Sequence, residues 1–254
     1  MIDFLVIGAP KCGTKSFYRY LAQHPRIEPA VKETLHYFDA HYREGREWYA
    51  RHFPARPPAP AEDAPLTGEA TSFYLFHPMV PQRVKETAPN AKFFVLLRDP
   101  TERTYLHFRD SVDKRKEHLS FNNAVKIEAK RLERGRHTLE VDPFHEWQSA
   151  RDYAYTALGL YAEQLRRWFQ VFPPDRFQII KSEDYFADPL PIVHEAYRFL
   201  GLEPFEATNM DPPYINPYAT LTGLTRRQVE KYFERYNHDL YRLLRRDFAW
   251  AEAD

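Results

Sequence analysis

Residues 4–23 read FLVIGAPKCGTKSFYRYLAQ, and no other stretch of the chain says as much about its architecture. Phe4-Leu5-Val6-Ile7 is apolar and β-prone, and Gly8-Ala9-Pro10 breaks it. Phe17, Tyr20 and Leu21 then recur at the i, i+3, i+4 spacing of one buried helix face. A strand, a glycine-bounded turn and a helix start make an anion site, because unpaired backbone N–H groups and the positive end of the helix dipole converge there. Here Cys12, Gly13, Thr14, Lys15 and Ser16 offer N–H groups, Thr14 and Ser16 add hydroxyls, and Lys11 and Lys15 add ammoniums. That cradle predicts a nucleotide-like ligand. Its spacing departs from a Walker loop, G-x-x-x-x-G-K-[ST]. Gly8 and Gly13 keep the separation, but Thr14 intrudes before Lys15-Ser16, and a second lysine, Lys11, stands inside the loop.

The 254 residues suit one α/β domain, taken here as a single unit over 1–254. Lys and Arg number 36 and so do Asp and Glu, so there is no overall positive field for a nucleic acid. A lone cysteine, Cys12, excludes an intramolecular disulfide and suits a reducing compartment. Its place in the loop allows a reactive thiol; without a histidine partner placed by the sequence, a small filler is the plainer reading. The chain enters its first strand without a basic leader, and nowhere do about 18 uncharged apolar residues run together, so no membrane span and a cytoplasmic location are expected.

Further along, His41–Pro54 predicts a short aromatic helix capped near Asp39, and 54–65 a proline-rich surface loop. Thr67–Thr71 reads as a strand and turn, and Pro78–Ala88 as a helix. Lys92–Leu97 reads as a strand apolar on both faces, ending in Arg98-Asp99-Pro100-Thr101 with helix-start chemistry. A helix from Glu102 to about Lys116 leads into a charged stretch. From Arg109 to His137 there are nine Lys and Arg against five Asp and Glu, which reads as a solvated helical face or as a wall attracting an anionic acceptor. Then come a helix from Gly159 to Pro173-Pro174, a strand over Phe177–Ile180, a helix over Pro191–Leu200 stopped by Gly201, and a last helix over Thr225–Arg246. Alternating strands and helices predict a three-layer α/β fold, a central parallel sheet flanked by helices. Its ligands belong beyond the carboxyl ends of the strands, where Lys11 and Arg98 fall.

Several of these residues resemble one family, the PAPS-dependent sulfotransferases, especially its bacterial and heparan-type carbohydrate members. Gly8–Ser16 is similar to the family's 5′-phosphosulfate loop, PKxGTTxL or KxGTxxL, and Phe94–Tyr105 to its 3′-phosphate motif, LLRDPxERxYS. Lys32-Glu33 with His36-Tyr37-Phe38-Asp39 resembles the heparan-type KE-x-HFFD segment, and Glu69–Tyr74 the EKTPxY stretch. The two phosphate motifs stand in the family's order, Gly13 and Arg98 being 85 positions apart. The resemblance covers most of the chain and loosens over 112–158 and 203–224.

What it implies is a P-loop-type three-layer fold, and transfer of the sulfuryl group of 3′-phosphoadenosine 5′-phosphosulfate (PAPS) to a hydroxyl of a carbohydrate or natural-product acceptor, leaving PAP, without a metal. By resemblance, the loop from Cys12 to Ser16 holds the phosphosulfate, Lys11 neutralises the leaving oxygen, Arg98 grips the 3′-phosphate and Glu33 is the base. His36 is its rival, since an imidazole of ordinary pKa about 6.5 suits proton abstraction, and because this chain has two residues where the family pattern has one between Glu33 and His36.

Departures are also plain. Leu106 stands where the family has its 3′-phosphate serine, Ala70 replaces the lysine of EKTPxY, and only Thr222–Arg227 approximates the late KGR-like loop. The segment 109–158 is the variable, acceptor-side part. Two other classes stay open: an ATP- and magnesium-dependent P-loop phosphotransferase, kept by Gly8, Gly13 and Lys15-Ser16, and a nucleotide-binding protein without chemistry on the same fold.

Overall fold

A computed structural model describes residues 2–55, 64–207 and 220–250. Five parallel strands form one sheet: β1 (Phe4–Gly8), β2 (Ile27–Pro29), β3 (Leu66–Ala70), β4 (Lys92–Leu97) and β5 (Phe177–Lys181), in the order β2-β3-β1-β4-β5. β1 pairs with β3 from Phe4 opposite Gly68 and with β4 from Phe4 opposite Lys92. Every residue of β1 is buried, as are Phe93–Leu97 of β4. Strands covered on both faces need continuous apolar runs, and those are the two runs legible in the sequence. From β1 the chain goes out to β2 and β3 on one side and then crosses to β4 and β5 on the other. A crevice opens where the connections diverge, at the carboxyl end of β1.

The helices are α1 (Thr14–Leu21), α2 (Gly45–Ala50), α3 (Val80–Thr87), α4 (Pro100–Asp113), α5 (Phe121–Val141), α6 (Gln148–Tyr153), α7 (Tyr161–Phe169), α8 (Ser182–Ala187), α9 (Pro189–Leu200) and α10 (Gly223–Leu244). α1 buries Phe17, Tyr18, Tyr20 and Leu21 against the sheet and α9, with Phe17 edge-on to Phe94 at 5.3 Å. α4 starts where expected: Asp99 accepts from Thr101 N at 2.8 Å as a side-chain cap, and Pro100 takes the first helical position, where its missing N–H costs nothing. Gly201 ends α9 at φ 85°, a left-handed stop that glycine adopts without strain.

One expectation needs correction, one strand is new to the sequence reading, and the charged stretch takes the first of its two readings. The 41–54 segment is helical, as a 3-10 turn at Tyr42–Glu44 followed by α2, but Asp39 caps neither. It is buried and accepts from His36 Nδ1 at 2.8 Å instead. β2 does not appear in the sequence reading, because of its three residues only Ile27 is buried and Glu28 and Pro29 are exposed. The charged 109–137 stretch is mainly the end of α4 and the amphipathic α5, which buries Ala124, Glu128, Leu132, Gly135 and Leu139 and leaves most of its cations at the surface. Positions 56–63 of the proline-rich loop lie outside the described residues, as do 208–219 of the segment where the resemblance loosens.

Candidate functional site

The turn between β1 and α1 has left-handed backbone at Lys11 (φ 71°) and Gly13 (φ 86°). At Gly13 a side chain is excluded twice over: by that φ, and because a Cβ would come within 2.7 Å of the Phe186 ring. The turn is fixed by α8, which packs directly against it. Ser182 Oγ donates to Cys12 O at 2.9 Å, Tyr185 OH donates to Ser16 Oγ at 3.0 Å, and Ser16 Oγ donates to Gly13 O at 2.9 Å. α8 holds the second motif as well: Glu183 Oε1 accepts from Asp99 N at 2.8 Å. Arg98, just before it, lays its guanidinium over Phe186 at 5.3 Å, while its carbonyl accepts from Tyr161 OH at 2.8 Å. One short helix thus ties the loop at β1 to the arginine at the end of β4. No local pattern in Lys181-Ser182-Glu183-Asp184 announces that role, which rests on partners distant in the chain.

A cavity of about 610 Å³ opens beside the turn. Lys11, Gly13, Thr14, Lys15 and Ser16 form its floor; His36, Leu106, Asp110 and Arg151 stand around it. Every predicted loop residue except Cys12 therefore reaches it. Cys12 is fully buried, its thiol 4.0 Å from Tyr161 OH, and burial pushes its pKa up to about 11 despite the nearby Arg103 and Arg98. The filler reading of Cys12 agrees with that environment. We expect the native protein to resist alkylation by iodoacetamide at mildly alkaline pH and to react once unfolded, as mass spectrometry of the Cys12 peptide will show. Rapid native labelling would contradict this environment.

Lys11 Nζ bonds Asp110 Oδ2 at 2.8 Å. Burial lowers the pKa of this ammonium, and Asp110 opposes the shift. On the far wall the 33–39 loop presents His36, itself left-handed at φ 54°. Its Nδ1 lies 2.8 Å from Asp39 Oδ2 and its Nε2 lies 3.0 Å from Arg151 Nη2. Arg151 is a donor only, so Nε2 is the accepting nitrogen and Nδ1–H points at Asp39. Glu33, three residues earlier, is bound by both Nε and Nη2 of Arg19, the latter at 3.3 Å to Oε2. Arg19 lines the cavity, but Glu33 is not among the lining residues.

The loop is held from beneath by Glu69, fully buried at the end of β3. Its carboxylate accepts from Thr71 Oγ1 at 2.6 Å, Tyr74 OH at 2.7 Å, Tyr49 OH at 3.1 Å and Leu35 N at 3.2 Å. Burial raises its pKa in spite of those four donors. Among the aromatic side chains Phe73 lines the cavity, whereas Tyr37, Phe38, Tyr74 and Trp147 are core.

The substitution at position 106 is visible here. Leu106 is buried and lines the cavity, offering no hydroxyl. Thr222–Arg227, the weak counterpart of the late donor loop, lies against the second motif. Arg226 pairs with Glu102 and with Glu230 (2.6 Å) and stands 3.9 Å from Asp99. Asp110, Arg151 and Arg19 have no assignment in the sequence, and Asp39 only that of a cap, since each acquires its place here through a tertiary partner. Among the described residues, no cluster of three or more His, Cys, Asp or Glu is arranged to hold a metal ion.

Arg98 is not among the residues that line the cavity and reaches it only through Phe186, on which its guanidinium lies. A parallel sheet with an anion-binding turn and cavity at β1 and an arginine at the end of β4 is an arrangement suited to a phosphorylated ligand. The chain belongs to the sulfotransferase domain family, whose model matches residues 1–212. It is 28% identical to the membrane-associated sulfotransferase kil1 of Dictyostelium discoideum, with 98% of this chain and 66% of that protein covered. It is 26% identical to human heparan sulfate glucosamine 3-O-sulfotransferase 6, with 97% and 73% covered. A crystal structure of a sulfotransferase from Alicyclobacillus acidocaldarius superimposes with a TM-score of 0.77 at 27% identity, covering 98% of each chain. The expected fold, family and enzyme class are borne out. No helix among the described residues is long and apolar enough to cross a membrane.

Proposed function

We propose that residues 1–254 form one sulfotransferase unit that moves the sulfuryl group of PAPS to a hydroxyl of a carbohydrate or related natural product. The observation that carries this reading is the meeting of Lys11, the N–H cradle at the start of α1 and His36 on one cavity. In this reading the N–H groups from Cys12 to Ser16 bind the 5′-phosphosulfate, and Arg98, on its aromatic shelf, binds the 3′-phosphate with a planar fork suited to two of its oxygens. The acceptor oxygen forms a bond to sulfur as the bond from sulfur to the 5′-phosphate oxygen breaks. The acceptor proton passes to a base on the 33–39 loop. Lys11 meets the negative charge that grows on the departing oxygen, a fixed cation aimed where charge develops. His36 is the base that this geometry favours, because it faces the cavity with its Nδ1 steered by the buried Asp39; Glu33, named by the resemblance, is its competitor.

The heparan sulfate relatives and the cationic walls supplied by Lys15, Arg19 and Arg151 support a sugar acceptor, and the single buried thiol suits a reducing, cytoplasmic setting. The test is transfer from radiolabelled PAPS to a panel of glucosamine-containing oligosaccharides and hydroxylated natural products in EDTA. Labelled product in EDTA supports the reading. Donor binding with no transfer to any acceptor would favour a binding protein, and ATP-dependent phosphorylation requiring magnesium would favour a phosphotransferase.

A further inference from the structure

Asp110 stands outside the sequence motifs, yet its carboxylate bonds Lys11, 2.8 Å from Oδ2 to Nζ. The same oxygen receives Lys114 Nζ at 2.8 Å from one turn further along α4. Asp110 lies one helical turn beyond Leu106, and both line the cavity. α4 itself begins two residues after Arg98, so one rigid helix carries the carboxylate at a set distance from the arginine of the second motif.

We propose that Asp110 is the positioning residue for Lys11: a counter-ion on α4 that keeps this ammonium charged in its partly buried site and aimed across the cavity floor. The inference rests on the reading of Lys11 given above. An ammonium has three hydrogens, so the bond to Asp110 leaves two for a departing oxygen. The charged surroundings explain why a counter-ion is needed. Burial, Lys114 and Arg103 all favour the neutral amine, and Asp110 opposes them. His107, also on α4, adds no charge because burial pushes its pKa down to about 3. Across the cavity stand Lys15 of α1, Arg151 of α6 and His36 of the 33–39 loop, none of them an anion. The Lys114 bond draws on the same carboxylate oxygen, so Lys114 weakens the hold on Lys11.

The experiment is a pair of variants read in two ways. Asp110→Asn takes away the influence that raises the Lys11 pKa, so the alkaline limb of the kcat–pH profile moves to lower pH. In the ligand-free protein the NMR titration of the Lys11 side chain, assigned with Lys11→Arg in isotope-labelled lysine samples, moves the same way. Lys114→Gln, at a side chain 59% exposed, removes the competitor and moves both to higher pH. Opposite shifts from the two variants are the expected result. If Asp110→Asn does not fold, the Lys114→Gln shift alone decides. Unmoved limb and unmoved resonance, with Lys11→Ala still inactive, would overturn the role of Asp110 and leave the sulfotransferase reading standing. Normal turnover by Lys11→Ala would overturn the role given to Lys11 and with it that of Asp110.

Discussion

Lys11→Ala lowers kcat by about 10²–10³, roughly 3–4 kcal/mol of lost transition-state stabilisation, while the protein stays folded. The size follows from what the ammonium does: it meets charge that exists only as the bond from sulfur to the 5′-phosphate oxygen breaks. Ground-state donor binding, which rests on the N–H groups of the turn and on Arg98, suffers less, so the loss falls on kcat more than on KM. Three features argue that the fold tolerates the change. Lys11 and Ala pay the same backbone cost at φ 71°, because both carry a Cβ. Asp110 keeps Lys114 as a partner, so no carboxylate is stranded. The remaining stabilisation at stake is that of a partly exposed ion pair, about 1 kcal/mol or less. Steady-state kinetics with a thermal melt of the same preparation checks the claim. Wild-type turnover in a folded variant contradicts it.

The second large effect is on the base. His36→Asn removes the accepting Nε2 and lowers kcat by about 10²–10⁴. Asparagine is the substitute of choice because residue 36 is left-handed, a conformation asparagine tolerates, and because its amide accepts no proton. Glu33→Gln keeps the shape that Arg19 grips and loses only the charge. The geometry predicts the larger loss for His36→Asn, since His36 lines the cavity and Glu33 does not. The double variant then loses little more than His36→Asn alone. Should Glu33→Gln by itself reproduce the loss of the double variant while His36→Asn turns over normally, the proton goes to Glu33, and the Arg19 pair opens when acceptor binds. For His36 to act, Arg151 must leave Nε2, and its bond to Glu146 gives the guanidinium a second anchor.

The parts of the molecule legible in the sequence are those whose cause is local. Lys92–Leu97 is a continuous apolar run and is the β4 strand residue for residue. Gly201 stops α9 where a left-handed residue is needed. The turn from Gly8 to Ser16 carries its chemistry in neighbouring positions, which is why its lysines and hydroxyls were readable without a partner. Leu106 was readable too, as an absence of a hydroxyl within a motif. What escaped depends on residues brought together from afar. Lys11 meets Asp110 across 99 positions, His36 meets Arg151 across 115, and Ser182 meets Cys12 across 170. No periodicity encodes those meetings. The basic 109–137 stretch shows the converse: its local charge excess fits a solvated face or an acceptor wall equally, and only the fold decides, since α5 buries an apolar stripe and solvates its cations while the guanidinium that reaches the cavity is Arg151 of α6. Asp39 is a third case, a cap by composition that the tertiary structure uses as the partner of His36.

The donor is the centre of this account, and calorimetric titration with PAP in EDTA, beside ADP and ATP with magnesium, addresses it most directly. The account predicts that PAP binds without metal and binds much more tightly than ADP, which lacks the 3′-phosphate. Arg98→Ala then removes most of that preference even though Leu106 offers no hydroxyl to share the load. Equal binding of PAP and ADP, or binding of ATP with magnesium where PAP fails, contradicts it.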